Sequence, residues 1–274
     1  MIYSKEDIAS FNQQNFAFVI VEEKDNVLTI TLNRPDKRNA FHQPLLNELA
    51  YSLAYAHYTN NIWAVVLKAN GPVFCAGADL KAFAGDDTVE KPSTIPMPKD
   101  MIKLGDEFNG LHKPCIAQVH ADVYAGGFLM IGGCTHVIAV ENAKFGLPEV
   151  KRGIWPFQVM ASLEPLMSSR ALLDLCIRGK TLTSYEAKEI GLVSDVVREE
   201  ELEAAVQKLV TEIKEQSPTA IRLGLKAFQE MKSLKADEKH KYLHGMLMQC
   251  LSSKDTAEGL AAFKEKRKPN WTGE

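Results

Sequence analysis

The sequence has 274 residues, of which 46% are hydrophobic and 24% are charged, and its formal net charge is −3. This composition predicts a globular protein with a sizeable core, and the charge argues against nucleic acid as the main partner. No run of about 18 apolar residues is present, so we expect no transmembrane helix. The first residues lack a signal-peptide pattern, and the five scattered cysteines form no CxxC pair. We therefore expect a reduced, cytoplasmic protein without a disulfide framework or a zinc site.

The first elements are predicted from residue type. Runs rich in aromatic and β-branched residues at 16–21 and 27–32 predict two strands. Asp25-Asn26 between them fits a hairpin turn. Residues 33–39 then form a polar loop marked by a proline.

The following segments alternate between helical and strand patterns. Leucines recur at helical spacing over residues 42–57 and predict a helix. Residues 63–67 are a continuous apolar run, typical of a strand buried on both faces, and 115–119 and 137–140 repeat that type. Strands separated by helices imply right-handed crossovers, so the first two-thirds of the chain is predicted to be an α/β layer structure.

The last third of the chain carries no strand-like run. Its periodicity predicts successive helices at residues 201–215, 219–232, 237–251 and 256–266. We therefore divide the chain into a core, residues 1–199, and a helical region, residues 200–274.

One tract of the core has no regular pattern. Residues 85–99 include Pro92, Pro96 and Pro98 and are too irregular for a helix or strand. The tract is long for a plain connection, which makes it a candidate lid or binding loop.

Two glycine-containing segments are candidate oxyanion sites. Small residues at 75–78, after the buried strand at 63–67, would let a ligand approach free backbone N–H groups. Gly126 and Gly127 precede an apolar helical run, so the Gly126 N–H should lie near a helix N-terminus. In both segments the alternative is that the small residues only allow tight packing.

Glu149 is the candidate acid–base. It follows a proline and precedes an apolar patch that contains Trp155 and Phe157. A carboxylate beside such a patch can have a raised pKa. Lys151 and Arg152 would oppose that shift if they pointed inward, and a solvent-facing glutamate is the alternative.

Together these segments resemble the enoyl-CoA hydratase/isomerase (crotonase) superfamily. The similarity spans roughly residues 16–270 and lies in several separated motifs in the order and spacing of that family. The motifs are Asn33-Arg34-Pro35, Asn39-Ala40, the run from Phe74 to Leu80, Lys113-Pro114, Ala125-Gly126-Gly127, the run from Phe145 to Glu149, and Glu258-Gly259 with Ala262 to Arg267.

The resemblance implies an α/β fold, a spiral of ββα units followed by C-terminal helices that build a homotrimer, often paired into a hexamer. It implies an acyl-CoA substrate and no metal or organic cofactor, since CoA is part of the substrate. The oxyanion hole would be the N–H groups of Ala78 and Gly126, with Glu149 as the acid–base. The residues implied in CoA binding are Lys37, Arg38, Ala40, Ala76, Asp79, Leu80, Phe263 and Lys266. Lys37 and Arg38 would meet the CoA phosphates or would simply be exposed charges.

One position departs from the hydratase pattern. Hydratases of this family carry a second glutamate three residues after the oxyanion glycine, and here that position is Leu129. Residues three apart share a helix face, so Leu129 should point into the pocket and offer only apolar surface. One glutamate with a leucine resembles the Δ3,Δ2-enoyl-CoA isomerases, which use a single base to move a proton from C2 to C4.

Three alternatives remain beside isomerisation. An enoyl-CoA hydratase of fatty-acid or branched-chain degradation is the main one, because hydratases are the most populated subgroup. An acyl-CoA decarboxylase would also fit a single polar residue in an apolar pocket. An RNA-binding homologue is disfavoured by the net charge of −3 and by the absence of a basic cluster outside residues 264–268.

Overall fold

The computed structural model describes residues 1–83 and 93–274. The strands assigned there are β1 (Val19–Lys24), β2 (Val27–Leu32), β3 (Ala64–Ala69), β4 (Cys115–Val119), β5 (Val123–Tyr124), β6 (His136–Val140), β7 (Lys144–Gly146), β8 (Thr181–Thr183) and β9 (Asp195–Val197). The α-helices are α1 (Gln43–Tyr58), α2 (Leu80–Phe83), α3 (Leu104–Gly110), α4 (Phe128–Gly133), α5 (Phe157–Leu163), α6 (Ser169–Arg178), α7 (Ser184–Glu189), α8 (Leu202–Lys214), α9 (Pro218–Glu230), α10 (Ala236–Leu251) and α11 (Lys254–Glu265). Short 3-10 helices span Asp7–Gln13, Pro35–Lys37, Ala125–Gly127, Glu149–Arg152, Glu199–Glu201 and Met231–Ser233.

The larger sheet has six strands in the order β1-β2-β3-β4-β6-β9. β1 pairs antiparallel with β2, and the other neighbouring pairs are parallel. Asp25 and Asn26, between β1 and β2, have φ of 51° and 65°, and positive φ at both central residues is typical of a tight hairpin turn. Parallel neighbours need long connections, and α1 supplies one between β2 and β3. The predicted hairpin and α/β layers are confirmed.

The first strand begins later in the chain than predicted. β1 starts at Val19 because the N–H groups of Ala17 and Phe18 donate to the Glu48 carboxylate rather than to a strand. It continues to Lys24 through exposed polar residues, which an edge strand tolerates because one face meets water. The apolar run at residues 16–21 therefore covers the segment that leads into β1 and only its first three residues.

The smaller sheet has the order β5-β7-β8. Its strands have only two or three residues each, too few to give a recognisable pattern in the sequence. Two strands of this smaller sheet come just before two of the predicted site segments. β5 leads directly into the 3-10 helix Ala125–Gly127, and β7 ends shortly before Glu149.

The C-terminal helices α8 to α11 agree with the predicted helices to within two residues at each end. No strand follows β9 in the described residues. α8 packs against β4 and β6 of the larger sheet. Helices α9 to α11 keep large apolar side chains exposed on the single chain: Phe228, Leu247, Met248, Leu251, Leu260 and Phe263. No helix in the part of the chain that is described has the length and apolarity to span a bilayer.

The candidate lid, residues 85–99, is described only from residue 93 onward, because residues 84–92 lie outside the described part. The described end contacts the N-terminal segment. Thr94 N–H donates to the Asn15 carbonyl at 3.1 Å, and the Tyr3 hydroxyl donates to the Pro96 carbonyl at 2.6 Å. Ile95 between them is buried. The role of the tract as a lid stays a prediction.

Glu48, in α1, is a buried carboxylate that fixes the entry of the chain into β1. One of its oxygens accepts the Ala17 N–H at 2.7 Å, and the other accepts those of Phe18 and Val19 at 2.8 and 2.9 Å. Buried N–H groups must be paired, so a single side chain satisfies three donors that no neighbouring strand reaches.

We expect Glu48→Ala to lower the free energy of unfolding by about 3 kcal/mol or more, because it leaves buried donors unpaired. Urea unfolding followed by circular dichroism measures the change. Glu22→Ala, at an exposed position on β1, is the matched control and should change stability by less than about 0.5 kcal/mol. Equal unfolding midpoints for the two variants would contradict the role assigned to Glu48.

Candidate active site

A cavity of about 540 Å³ lies where the loop after β3, the start of α4 and the segment after β7 meet. Most of its lining is apolar. Among the described residues, its charged side chains are Glu149 and Arg152, and Gln158 is neutral and polar. The lining residues are Phe41, Ala76, Ala78, Leu80, Ala125, Gly126, Leu129, Glu149, Arg152, Ile154, Trp155, Pro156, Phe157, Gln158 and Val159.

The backbone at Ala78 is held by a parallel bridge to Phe41. Phe41 N–H donates to the Gly77 carbonyl at 2.8 Å, and Asp79 N–H donates to the Phe41 carbonyl at 2.9 Å. Successive N–H groups of an extended chain point to opposite sides, so the Ala78 N–H points away from Phe41. In the described chain it has no acceptor. It is therefore available to a ligand.

Gly126 lines the same cavity as Ala78. Gly126 lies in the first turn of the 3-10 helix Ala125–Gly127, where an N–H has no preceding carbonyl of the helix to bind. A Cβ placed on Gly126 would lie 3.8 Å from the Ala78 nitrogen and would overlap the Phe41 ring. The two nitrogens are thus close neighbours. Two such donors aimed at one point can stabilise a developing oxyanion.

Gly77 brings these two segments together. Its φ is +89°, a conformation that favours glycine. A Cβ on Gly77 would lie 2.6 Å from the Ala125 Cβ and 3.1 Å from the Gly126 nitrogen. The loop after β3 therefore approaches the start of the 3-10 helix only because residue 77 has no side chain.

Asn39 is fully buried, and its side chain holds the segment after β3 in place through hydrogen bonds. The side-chain oxygen Oδ1 of Asn39 accepts the Arg34 backbone N–H at 2.9 Å. Its amide nitrogen donates to the carbonyls of Asn70 and Val73 at 2.8 and 2.9 Å. One side chain thereby joins the polar loop after β2 to the segment after β3 that carries Ala78.

Glu149 begins the 3-10 helix Glu149–Arg152 and lines the cavity. Its Oε2 atom is buried and has no hydrogen-bond partner in the described residues. Burial raises the pKa of the Glu149 carboxyl above its ordinary value, while the Glu149 backbone N–H and the Arg152 charge oppose the shift. A half-buried carboxylate with one unpaired oxygen can accept a proton from a bound ligand.

Leu129 is buried in α4 and lines the same cavity as Glu149. Its side chain can neither orient water nor transfer a proton. Within the described lining, Glu149 is therefore the single group able to act as acid–base by proton transfer.

The other residues implied in CoA binding divide into two groups. Ala76 and Leu80 line the cavity, whereas Lys37, Arg38, Ala40, Asp79, Phe263 and Lys266 do not. Asp79 instead forms an ion pair with Arg34 at 2.7 Å. The Arg38 carbonyl accepts the Ala76 N–H at 3.0 Å, so its backbone supports the loop. CoA contacts by the six residues outside the cavity stay a prediction.

Phe41 and Gln158 also line the cavity and were not singled out from the sequence. Phe41 lies between the polar loop and α1, and only its bridge to Ala78 reveals its position. Gln158 is in α5, a short helix that the sequence pattern did not predict. Arg152 was considered only as a neighbour of Glu149, and the structure places it in the cavity.

Comparison with known proteins identifies the family. A sequence model of the family described as enoyl-CoA hydratase/isomerase matches residues 22–274. The chain belongs to this family. It is 31% identical over 261 residues to the 2,3-dehydroadipyl-CoA hydratase of Escherichia coli, covering 93% of this chain and 98% of that protein. It is 30% identical over 255 residues to a probable enoyl-CoA hydratase of Mycobacterium bovis, covering 93% of this chain and 97% of the relative.

Solved structures of the hydratase/isomerase family share the fold. The crystal structure of an enoyl-CoA hydratase from Bacillus anthracis matches with a TM-score of 0.84 at 30% identity, covering 94% of this chain and 100% of that one. The enoyl-CoA hydratase of Mycobacterium tuberculosis matches with a TM-score of 0.82 at 28% identity, covering 94% and 99%. The predicted crotonase-like α/β fold with its helical C-terminal region is confirmed, and the chain is an enzyme of this family.

Gly126→Ala tests the pair of N–H groups. The added methyl would enter the space beside the Ala78 nitrogen, so we expect turnover of an enoyl-CoA thioester to fall by about 100-fold or more. Gly224→Ala is the matched control, because a Cβ there meets nothing within 4 Å, and it should keep its turnover. Steady-state kinetics of both variants provides the comparison. Full activity of Gly126→Ala would show that the space beside the Ala78 nitrogen is not occupied by the thioester during turnover.

Proposed function

We propose that this hydratase/isomerase family member is an enoyl-CoA isomerase that moves the double bond of a 3-enoyl-CoA thioester to position 2. One observation carries the proposal. Among the described residues of the cavity, Glu149 is the single carboxylate, and it shares the cavity with the free N–H groups of Ala78 and Gly126. Such a site offers one base and one oxyanion hole, which is what proton transfer next to a thioester requires.

The proposed reaction begins at C2. The thioester oxygen lies between the N–H groups of Ala78 and Gly126, and Glu149 removes a C2 proton. Negative charge then develops on the thioester oxygen, where one preorganised donor is typically worth about 3–4 kcal/mol in the transition state. The protonated Glu149 returns the proton to C4, which completes the shift of the double bond. Each proton removed is returned, so the proposal involves no metal or organic cofactor.

The raised pKa of Glu149 suits this cycle. A carboxyl group that both takes and gives a proton works best when its pKa is not far below the working pH. Burial moves the Glu149 pKa in that direction, and the unpaired Oε2 leaves an oxygen free to receive the proton. The apolar side chains of Leu129 and Trp155 also line the cavity, and apolar surroundings favour the neutral, protonated form of a carboxyl group.

Hydration is the second candidate, favoured by the names of the relatives, which are hydratases. Hydration must hold water on the correct face, deliver hydroxide to C3 and place a proton on C2. Leu129 offers no polar atom to hold that water, and a misplacement of about 1 Å can slow a reaction about 100-fold. Isomerisation needs no bound water, so Leu129 does not impair it.

We also propose that α9 to α11 mediate assembly into a trimer, alone or paired into a hexamer, and that Phe263 and Lys266 reach CoA. The large apolar side chains exposed on these helices support the assembly, and Phe263 is 85% exposed on the single chain. Lys266 follows α11 with φ +56°, at a sharp end of the helix. Contiguous exposed apolar residues commonly mark an interface between subunits.

Glu149→Gln and the pH profile together test the acid–base role. The carboxylate form removes the C2 proton, so kcat/KM should fall as pH falls through the Glu149 pKa. Because that pKa is raised, the fall should occur above pH 4.5, the ordinary value for glutamate. Glu149→Gln should lower kcat by about 100-fold or more and abolish that limb of the profile. Glu164→Gln changes an exposed position outside the cavity, so it should keep the wild-type kcat and the acidic limb of the pH profile.

The isomerase proposal is tested by wild-type enzyme on two substrates. We expect 3-enoyl-CoA to be isomerised faster than 2-enoyl-CoA is hydrated, because no described cavity residue besides Glu149 can activate water. Leu129→Glu should raise hydration, and Leu129→Gln, which fills similar space without proton transfer, should not. Product identification by chromatography gives both rates. Hydration of crotonyl-CoA by wild type at about 10–1000 per second, with no conversion of the 3-enoyl isomer, would establish the hydratase alternative.

A further inference from the structure

Arg152 is the positive charge of the described cavity lining, and the proton-transfer mechanism does not use it. It lies on the same one-turn 3-10 helix as Glu149, three residues later. Side chains three apart in a 3-10 helix eclipse one another, so Arg152 and Glu149 project from the same face. The Arg152 charge is close enough to act on the Glu149 carboxyl.

The Arg152 guanidinium has no ion-pair or hydrogen-bond partner in residues 1–83 and 93–274. The neighbouring Lys151 differs from it, because its side chain lies against Gly179 and is absent from the cavity lining. A guanidinium carries five donors in a planar fork suited to a carboxylate or a phosphate. Arg152 is exposed to solvent and also lines a largely apolar cavity, so its unpaired guanidinium is placed to bind an anionic group of a ligand that enters there.

We propose that Arg152 binds a carboxylate carried by the acyl chain, so that the preferred substrates are carboxyacyl-CoA thioesters. The inference rests on the proposed function only in taking an acyl-CoA thioester as the ligand. The spacing of Glu149 and Arg152 indicates where the carboxylate of the acyl chain would lie. Glu149 must reach C2 and C4 of the acyl group, and Arg152 is one turn further along the same face, about 6 Å of helix rise. That distance places the guanidinium beside the acyl chain.

The CoA phosphates are the other source of negative charge. They are separated from the thioester by the long pantetheine arm, whereas Glu149 and the oxyanion N–H groups hold the thioester and the carbons next to it. A guanidinium on the same turn as Glu149 is therefore better placed for the acyl chain than for the nucleotide. A smaller cavity of about 150 Å³ shares Leu129 and Gln158 with the main one. Its lining contains Lys103, a second cation, but also Asp106, whose negative charge makes this cavity the weaker site for a carboxylate.

The test measures binding of freshly prepared saturated thioesters by calorimetry, because these ligands have no double bond to move or hydrate and the result does not depend on the isomerase proposal. The ligands are matched in chain length: succinyl-CoA with butyryl-CoA, and adipyl-CoA with hexanoyl-CoA, together with free CoA. The proteins are full-length wild type, Arg152→Gln, Arg152→Lys, and Lys151→Gln as the matched loss of one positive charge outside the cavity. Lys103→Gln probes the smaller cavity.

Wild type should bind the carboxylated member of at least one pair about 10- to 100-fold more tightly, the range expected for hydrogen bonds to a charged group. Arg152→Gln should abolish that preference and leave butyryl-CoA, hexanoyl-CoA and free CoA unaffected. Arg152→Lys should keep part of it, because the charge remains but the fork is lost. Lys151→Gln should behave as wild type.

Three results would overturn the proposal. Wild type could bind the members of each pair equally. Arg152→Gln could weaken all ligands, free CoA included, which would assign Arg152 to the CoA phosphates. The preference could survive in Arg152→Gln and disappear in Lys103→Gln, which would move the carboxylate to the smaller cavity. Failure of the isomerase proposal would show separately, as absence of 3-enoyl-CoA turnover, and would leave these binding results intact.

Discussion

The candidate site depends on the backbone bridge between Phe41 and Ala78. That bridge uses the Gly77 carbonyl and the Asp79 N–H, and so leaves the Ala78 N–H pointing to the opposite side, where Gly126 lies. Asn39, whose side chain is buried, joins the two segments through three hydrogen bonds. The N–H groups of Ala78 and Gly126 are thus held in place by the fold itself, and such preorganisation is what makes backbone donors effective in stabilising a transition state.

The local sequence was sufficient to predict a helix or strand where that element has a long apolar pattern of its own. The hairpin, α1, β3, β4 and the four C-terminal helices were predictable because their residues repeat at strand or helix spacing. β5, β7 and β8 were not, since two or three residues give no period. The start of β1 was displaced by Glu48, a residue remote in sequence whose carboxylate takes the N–H groups of Ala17 and Phe18.

The same distinction applies to the site. Gly126 and Glu149 were predictable from a glycine pair before a helix and a carboxylate before an apolar patch, and the order of the motifs joined them into one family. Phe41 and Gln158 could not be found in this way, because they reach the cavity only through tertiary contacts. Arg152 was visible beside Glu149, but the direction of its side chain depends on the one-turn 3-10 helix that the sequence pattern does not reveal.

The exposed charges on the first strand have a consequence for the behaviour of the protein at high concentration. The larger sheet ends at β1 and β9, and unpaired backbone groups at a sheet edge can recruit a strand from another molecule. β1 presents Glu22, Glu23 and Lys24 as exposed side chains, and β9 is only three residues long and carries an exposed aspartate. Both edges therefore resist strand addition, so that contact between copies through the sheet edges is disfavoured.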